Sequence, residues 1–457
     1  MPEESHDHSP PELRRELGLR DLVLFNIAAV IGIRWVAAAA RSGPGSLSLW
    51  VLAAALFFVP SALAVSRLSR LYPEEGGLYI WTKRSFGDWH GFLAGWCFWL
   101  SNLFYFPNLL LSGVGMAVYT LGPRYTWLAE SHAFMIPASL VLLWVALLAQ
   151  LTGVRRGKWI QNLGGTATYL AGAMLIFAGL ASWWKAGSAT PLRVLPAWDW
   201  DHVNFWPQIA FAFGGLELGA VMGGEIRHPD RNVPRAAWIS GAAITGLYLL
   251  GTLALLVLVP SQQVNVMTGL AQAGQIAAGR LGFVWFAPLL AVLITAGVAG
   301  QFGAWVAGAA RVPFVIGLDR YLPPVFSRLH PKWGTPHFSL LLQGAACTAF
   351  LVVMLAGETL QTGYQLLVDM TVVTYFVPFA YIFLSAWKAG LRLSAACGLF
   401  TTLCGFAFSL VPPGGATSLW SFELKLLGGC ALLVLAGRMT FSRAARATEP
   451  RVTEPRA

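Results

Sequence analysis

Apolar stretches of about twenty residues or more, separated by short polar breaks, run through nearly the whole chain, and nothing else constrains its fold so tightly. A helix rises about 1.5 Å per residue, so roughly 20 apolar residues cross a ~30 Å hydrocarbon layer. Inside that layer the backbone must satisfy its own hydrogen bonds, as a helix does. Twelve spans can be read, near residues 20–40, 47–70, 90–120, 133–153, 159–184, 203–225, 235–260, 283–316, 337–356, 363–388, 391–411 and 419–438. The reading is an all-α integral membrane protein with twelve transmembrane helices. Only 11% of residues are charged and 56% are hydrophobic, against roughly 25% charged in soluble chains. Collagenous, disordered and secreted disulfide-rich classes are excluded.

The distribution of cations tests this count. An even number of spans puts both ends of the chain on one side. With that side inside, the outer segments hold only Arg41, Arg124, Lys185, Arg193, Arg280 and Lys425. Apart from Arg34, which lies within a span, every other member of the 31 Lys and Arg is inside. That is the positive-inside pattern. The net charge of +10 is therefore topology and not a nucleic-acid footprint. The polar first 17 residues contain no apolar core of a cleaved signal, so the first helix is expected to be retained. Cys97, Cys347, Cys397, Cys404 and Cys430 all lie in apolar runs, with no CxxC or Cys/His cluster, so no disulfide framework, metal or cofactor is expected. A multi-pass membrane protein with both termini cytoplasmic follows.

The first and sixth spans are interrupted near mid-membrane, one at Gly32 and Arg34, the other at Gly214, Gly215, Gly219, Gly223 and Gly224. Paired interruptions at matching positions of two halves mark substrate sites in transporters, because unwound backbone leaves N–H and C=O groups for a ligand. The spacing fits two repeats of five spans, 1–5 and 6–10. The alternative is that these glycines only let helices pack closely. On the first reading, Ile31, Gly32, Ile33 and Arg34 and, in the second half, Phe211, Ala212, Phe213, Gly214 and Gly215 form the substrate site. Glu217 and Asp369, carboxylates within spans, are candidates for proton coupling. Each also has a structural reading: Glu217 as a neutral partner of unwound backbone, Asp369 as a partner of the hydroxyls of Thr371, Thr374 and Tyr375. Arg34 needs a partner at this depth, either a substrate carboxylate or an internal pair with Glu217 or Asp369.

Three inner segments are more specific. They are Pro73-Glu74-Glu75-Gly76-Gly77-Leu78-Tyr79 after span 2, Gly224-Glu225-Ile226-Arg227-His228-Pro229-Asp230-Arg231-Asn232-Val233-Pro234-Arg235 after span 6, and Arg311 with Asp319-Arg320-Tyr321-Leu322-Pro323 after span 8. Asn232 can cap and Pro234 open the seventh helix, while Pro229 stops the sixth. The pairs Glu225/Arg227 and Asp319/Arg320 are candidates for a network closing the inside of a pathway. A solvated loop is the plainer reading.

In order on a twelve-span chain, these segments resemble the loops of the amino acid/polyamine/organocation superfamily of permeases, over residues 18–440. The resemblance implies a 5+5 inverted-repeat core with broken helices 1 and 6. It also implies an aromatic gate at Phe211 and a coupling or helix-holding role for Glu217. Tyr105 and Trp305 join Phe211 as candidate gate aromatics. The usual G-S-G-I-F-like break is replaced here by Gly32-Ile33-Arg34-Trp35, which removes the serine and second glycine of the carboxylate cradle. The eighth span around Gln301–Gly308 lacks the hydroxyls that sodium-coupled relatives supply, and Lys158 sits at the inner end of span 5, not mid-membrane.

The implied organisation is a tail (1–17), a transport core (18–388), two further helices (389–438) and a second tail (439–457). The implied function is secondary transport of an amino acid or related small organic solute by alternating access, coupled to protons or exchanging substrates. A polyamine permease and a non-transporting sensor of the same fold are the alternatives. No HExxH motif or Ser/Lys pair within the spans suggests an enzyme. Trp96, Trp99, Trp183, Trp184, Trp198 and Trp206 are expected as headgroup anchors, Pro107 as a kink in span 3, and residues 261–281 as an amphipathic segment over the entrance.

Overall fold

The computed structural model describes residues 15–192, 200–355, 360–410 and 424–448. Each apolar stretch folds as helix. The first splits into α1 (Leu19–Val30) and α2 (Ile33–Arg41). The second is α3 (Ser46–Ala53) and α4 (Val59–Leu71), continuous through one π turn at Ala54–Phe58. Short α5 (Leu78–Phe86) leads into α6 (Asp88–Val118), and α7 (His132–Leu151) and α8 (Val154–Ala186) complete the first half. A second split pair follows, α9 (Trp200–Ala212) and α10 (Leu216–Val221). After it come α11 (Pro229–Leu258), α12 (Gly269–Leu281), α13 (Phe286–Leu318), α14 (His337–Leu355), α15 (Leu360–Lys388), α16 (Arg392–Ser409) and α17 (Gly429–Thr448).

Among the described residues, ten helical stretches are long and apolar enough to cross a membrane. The other two expected spans are the split α9/α10 and the shorter α14. α13 packs most extensively on α8, and α6 on α15; α1 lies among α8, α11 and α13, and α10 meets α4 and α13. Both broken segments are therefore enclosed by other helices and not by lipid.

The two ends of the described chain lie at one end of the bundle. Leu17 pairs its backbone with Glu225 and Arg227. Phe441 of α17 packs on Trp89, Phe92 and Tyr321. An even number of crossings requires this arrangement.

Several local expectations are corrected. The seventh helix begins at Pro229, not after Pro234. Proline without an N–H suits the first helical position, where no intrahelical bond is lost, and Asn232 sends its side-chain amide back to the Arg227 carbonyl at 2.5 Å instead of capping. Pro107 lies inside α6, where the expected kink would fall. Of the expected tryptophan anchors, Trp183 and Trp184 are exposed, whereas Trp99 and Trp206 are buried. Trp96 donates to the Leu433 carbonyl at 3.0 Å. Trp198 lies outside the described residues. The segment 261–281 contains a 3-10 turn, Ser261–Gln263, and α12, which packs on α8 and α13.

Candidate functional site

A broken helix leaves carbonyls without intrahelical donors, and in this protein neighbouring helices supply them. At the first break Gln301 and Trp305 of α13 both donate to the Ala29 carbonyl, at 3.0 and 2.7 Å. The hydroxyl of Tyr248, on α11, accepts the Gly32 N–H at 3.2 Å and lies 2.7 Å from the Val30 carbonyl and 2.9 Å from the Ala212 carbonyl. One side chain thus touches both breaks. Its ring is stacked on Trp50 at 4.4 Å, and Trp50 is itself tied to Thr252. Gly32 has an ordinary φ, but a Cβ there would meet the Trp35 indole at 2.5 Å, so a larger residue would push that ring aside.

The second break caps itself. Gly215 has φ +116°, a backbone state that glycine adopts without penalty, and its N–H donates to Glu217 Oε2 at 3.0 Å. The Tyr375 hydroxyl of α15 donates to Glu217 Oε1 at 2.5 Å. Glu217 is completely buried and links the start of α10 to α15.

Rings close over this centre. Phe211 meets Trp35, Tyr105 and Tyr375 edge-on with centroids 5.5, 5.8 and 4.9 Å away, and Trp305 lies 5.0 Å from Tyr105. The three candidate gate aromatics thus share one cluster. Phe213 points elsewhere, into Trp50, Phe58 and Tyr248. The Arg34 guanidinium sits between Trp35 and Tyr105, 4.5 and 4.9 Å from their ring centres. It is 4% exposed, and its Nε and Nη2 have no hydrogen-bond partner. Among the described residues no carboxylate comes within ion-pair distance of it, so the internal pair with Glu217 or Asp369 is not formed. Arg34, Ile31, Ile33, Ser112, Thr168 and Gln301 line a narrow cleft with room for about one water.

Asp369 is buried on α15, but the hydroxyls suggested for it are engaged elsewhere. Thr371 and Thr374 donate to carbonyls of their own helix, and Tyr375 donates to Glu217.

Beyond the centre, toward the chain ends, the interior is sealed by charge. Arg311 of α13 pairs with Glu225 at 2.8 Å, both almost fully buried, and donates to the Ala307 carbonyl. Asp319 takes Lys83 at 2.6 Å and the Tyr79 hydroxyl. The expected pairs Glu225/Arg227 and Asp319/Arg320 are not the ones made. Arg227 reaches the Arg15 carbonyl from an exposed position, and Arg320 occupies a left-handed turn at φ +64°. Glu75 accepts the Gly224 N–H at 2.7 Å, and Gly76 donates to the Val221 carbonyl at 3.0 Å, which closes the loop Pro73–Gly77 onto the end of α10.

Sequence reasoning missed Tyr248, Gln301 and Trp35. The one tyrosine within the apolar seventh span was the available signal for Tyr248.

Broken spans meeting at a buried polar centre are the build of a membrane transporter. A family model described as amino acid permease matches residues 17–416, and the chain belongs to that family of secondary transporters, within the amino acid/polyamine/organocation superfamily. It is a multi-pass membrane protein that takes a small solute, and not an enzyme. The chain is 25% identical over 446 residues to an uncharacterised transporter of Legionella pneumophila, covering 92% of this chain and 95% of that one. It is 28% identical over 348 residues to an uncharacterised transporter of Mycobacterium tuberculosis, covering 74% of each. It is also 25% identical over 346 residues to a probable agmatine/putrescine antiporter of Lactococcus lactis, covering 74% of this chain and 73% of that one.

Proposed function

We propose that this permease carries an amino acid, taking its carboxylate on Arg34 and enclosing the rest beneath Phe211, Tyr105 and Trp305. The observation that carries the reading is the guanidinium itself: buried between two rings, with two unpartnered nitrogens and, among the described residues, no carboxylate beside it. An unpaired cation at this depth is costly, and a substrate carboxylate supplies the missing charge with fork geometry that arginine suits. The break backbone is a poorer cradle, because Tyr248 takes the Gly32 N–H and Glu217 the Gly215 N–H.

The architecture we assign is twelve spans, with a 5+5 inverted-repeat core over 18–388, two further helices over 389–438, and cytoplasmic tails at 1–17 and 439–457. The packing supports it. Exchanging each span for its counterpart five later turns the α6–α15 pair (spans 3 and 10) into the α13–α8 pair (spans 8 and 5), and these are the two most extensive packings. Alternating access then moves the broken helices against this frame in the plasma or bacterial inner membrane. The seal at Glu225 and Arg311 keeps the cytoplasmic side shut in the state described. Glu217 is the proton candidate. Adding a proton takes one acceptor from a carboxylate that holds both Gly215 and Tyr375, so its charge state is tied to the joint between α10 and α15.

The name of the Lactococcus relative favours a second reading, diamine exchange. Uptake into proteoliposomes of labelled acidic, neutral and basic amino acids and putrescine separates the two. Each is tested with and without an inward proton gradient, and with and without internal substrate. We expect flux of one amino acid class, lost in Arg34→Gln. Putrescine flux alone, or amino acid flux unchanged in Arg34→Gln, overturns the reading, and saturable binding without flux makes the protein a sensor.

A further inference from the structure

We propose that Glu75 is a proton-binding site of the inner gate, holding a proton while the gate is shut and releasing it to water when the gate opens. Three elements meet there: the loop Pro73–Gly77, the turn Gly223–Glu225 after α10, and Arg311 of α13. The charge count leads the argument. Two carboxylates, Glu75 and Glu225, share one guanidinium: Arg311 and Glu225 are almost fully buried, and Glu75, partly buried, turns its Oε1 inward. Arg311 spends one nitrogen on Glu225 and another on the Ala307 carbonyl, and its Nε has no partner. With both carboxylates ionised, the cluster carries a buried net negative charge; with one proton it is neutral, which burial strongly favours.

The hydrogen-bond inventory points to the same residue. Glu75 Oε2 accepts the Gly224 N–H, while Glu75 Oε1 and Glu225 Oε2 are buried oxygens with no partner. An added hydrogen makes Glu75 Oε1 a donor and leaves the Gly224 bond in place. The other charged groups nearby are engaged with one another: Glu74 with Arg84 at the surface, and Asp319 with Lys83 and Tyr79. Burial, followed by the negative charge of Glu225, pushes the Glu75 carboxyl up to about 8, with Arg311 and the Gly224 N–H acting in the opposite direction.

The sign of the coupling follows. Opening parts the loop from the end of α10, breaking the Glu75–Gly224 and Gly76–Val221 bonds, and exposes the carboxyl to water, where its value falls toward 4.5. The shut gate binds more protons than the open one between those limits. Closure is therefore fully favoured below the lower value and lost as pH rises through about 8. The proton passes from Glu75 to a water molecule and leaves a carboxylate behind. The gating consequence rests on the transport reading above, whereas the proton site itself does not.

The test uses the full-length protein in lipid nanodiscs without substrate, so its outcome is independent of whether an amino acid is carried. Infrared difference spectra across pH 8 are expected to contain a protonated-carboxyl band that disappears on the alkaline side and is missing from Glu75→Gln. Hydrogen exchange at Met222–Ile226, corrected for intrinsic pH dependence, reads the latch. The wild type is expected to lose protection as pH rises through about 8, and Glu75→Gln, which keeps an acceptor for Gly224 but cannot ionise, to stay protected throughout. A band unchanged in Glu75→Gln overturns the proton site. A Glu75→Gln latch that opens over the same pH range as the wild type overturns its link to the gate.

Discussion

Two arginines lie deep in this bundle and live differently. Arg311 is 2% exposed and Arg34 is 4% exposed, so both have lost their hydration. Arg311 has a carboxylate at 2.8 Å and a backbone carbonyl. Arg34 has two aromatic faces and two unpartnered nitrogens. A residue that only seals a passage needs its counter-charge present at all times. One that serves a passing anion must lack it between visits. Equal burial with unequal pairing is what the two proposed roles, gate for Arg311 and binding group for Arg34, rest on.

The comparison is broken most forcefully at Arg311. Arg311→Ala strands Glu225 as a buried carboxylate, and removing one partner of a buried pair costs about 3–5 kcal/mol. We expect a large fall in melting temperature in detergent, together with loss of protection at Met222–Ile226. A melting temperature within error of the wild type would mean that Glu225 finds water or another cation, and that the pair is not the seal.

The difference between the arginines was half legible in the sequence. Arg34 and Glu217 stood out because a charge within an apolar span is rare and conspicuous, and the glycines marked both breaks. The partners were not legible. Glu225 was matched with Arg227 because they are neighbours in the chain, yet its partner lies on α13, 86 residues away. Tyr248 is 216 residues from Gly32, and only the packing of α11 against α1 and α2 brings its hydroxyl to the break. In the same way, tryptophans near span ends read as headgroup anchors by composition, while Trp99 and Trp206 are buried by neighbouring helices. Periodicity and hydropathy report which face is apolar, but which helix covers that face is decided elsewhere in the chain.

An intermediate effect is expected between the arginines, where the breaks are tied together. Tyr248→Phe keeps the ring on Trp50 and removes only the hydroxyl, so packing is preserved. The Ala212 carbonyl and the Gly32 N–H lose a partner, at about 1–3 kcal/mol for buried groups left unsatisfied. The Val30 carbonyl keeps the Gly32 N–H at 2.7 Å, which limits the loss. Melting temperature should fall less than in Arg311→Ala, and uptake should change because the two breaks are no longer held by one side chain. If uptake is unaffected, Tyr248 is a packing residue and the breaks move independently.

The smallest stability effect is expected at Arg34, and this prediction sharpens the contrast most. A guanidinium without a carboxylate costs about 2.5–3.5 kcal/mol at the centre of a span. Arg34→Met removes that cost, keeps an unbranched apolar stem against Trp35 and Tyr105, and leaves no buried anion behind. Its melting temperature should equal or exceed that of the wild type, the reverse of Arg311→Ala. A ligand that binds only the folded protein raises stability with its concentration, so an amino acid carried by the wild type should raise the wild-type melting temperature and leave that of Arg34→Met unmoved. Should Arg34→Met instead melt well below the wild type, Arg34 is holding the broken helix together and the two arginines are structural alike. If the amino acid still stabilises the variant, its carboxylate binds elsewhere, and the unpaired nitrogens of Arg34 serve another anion.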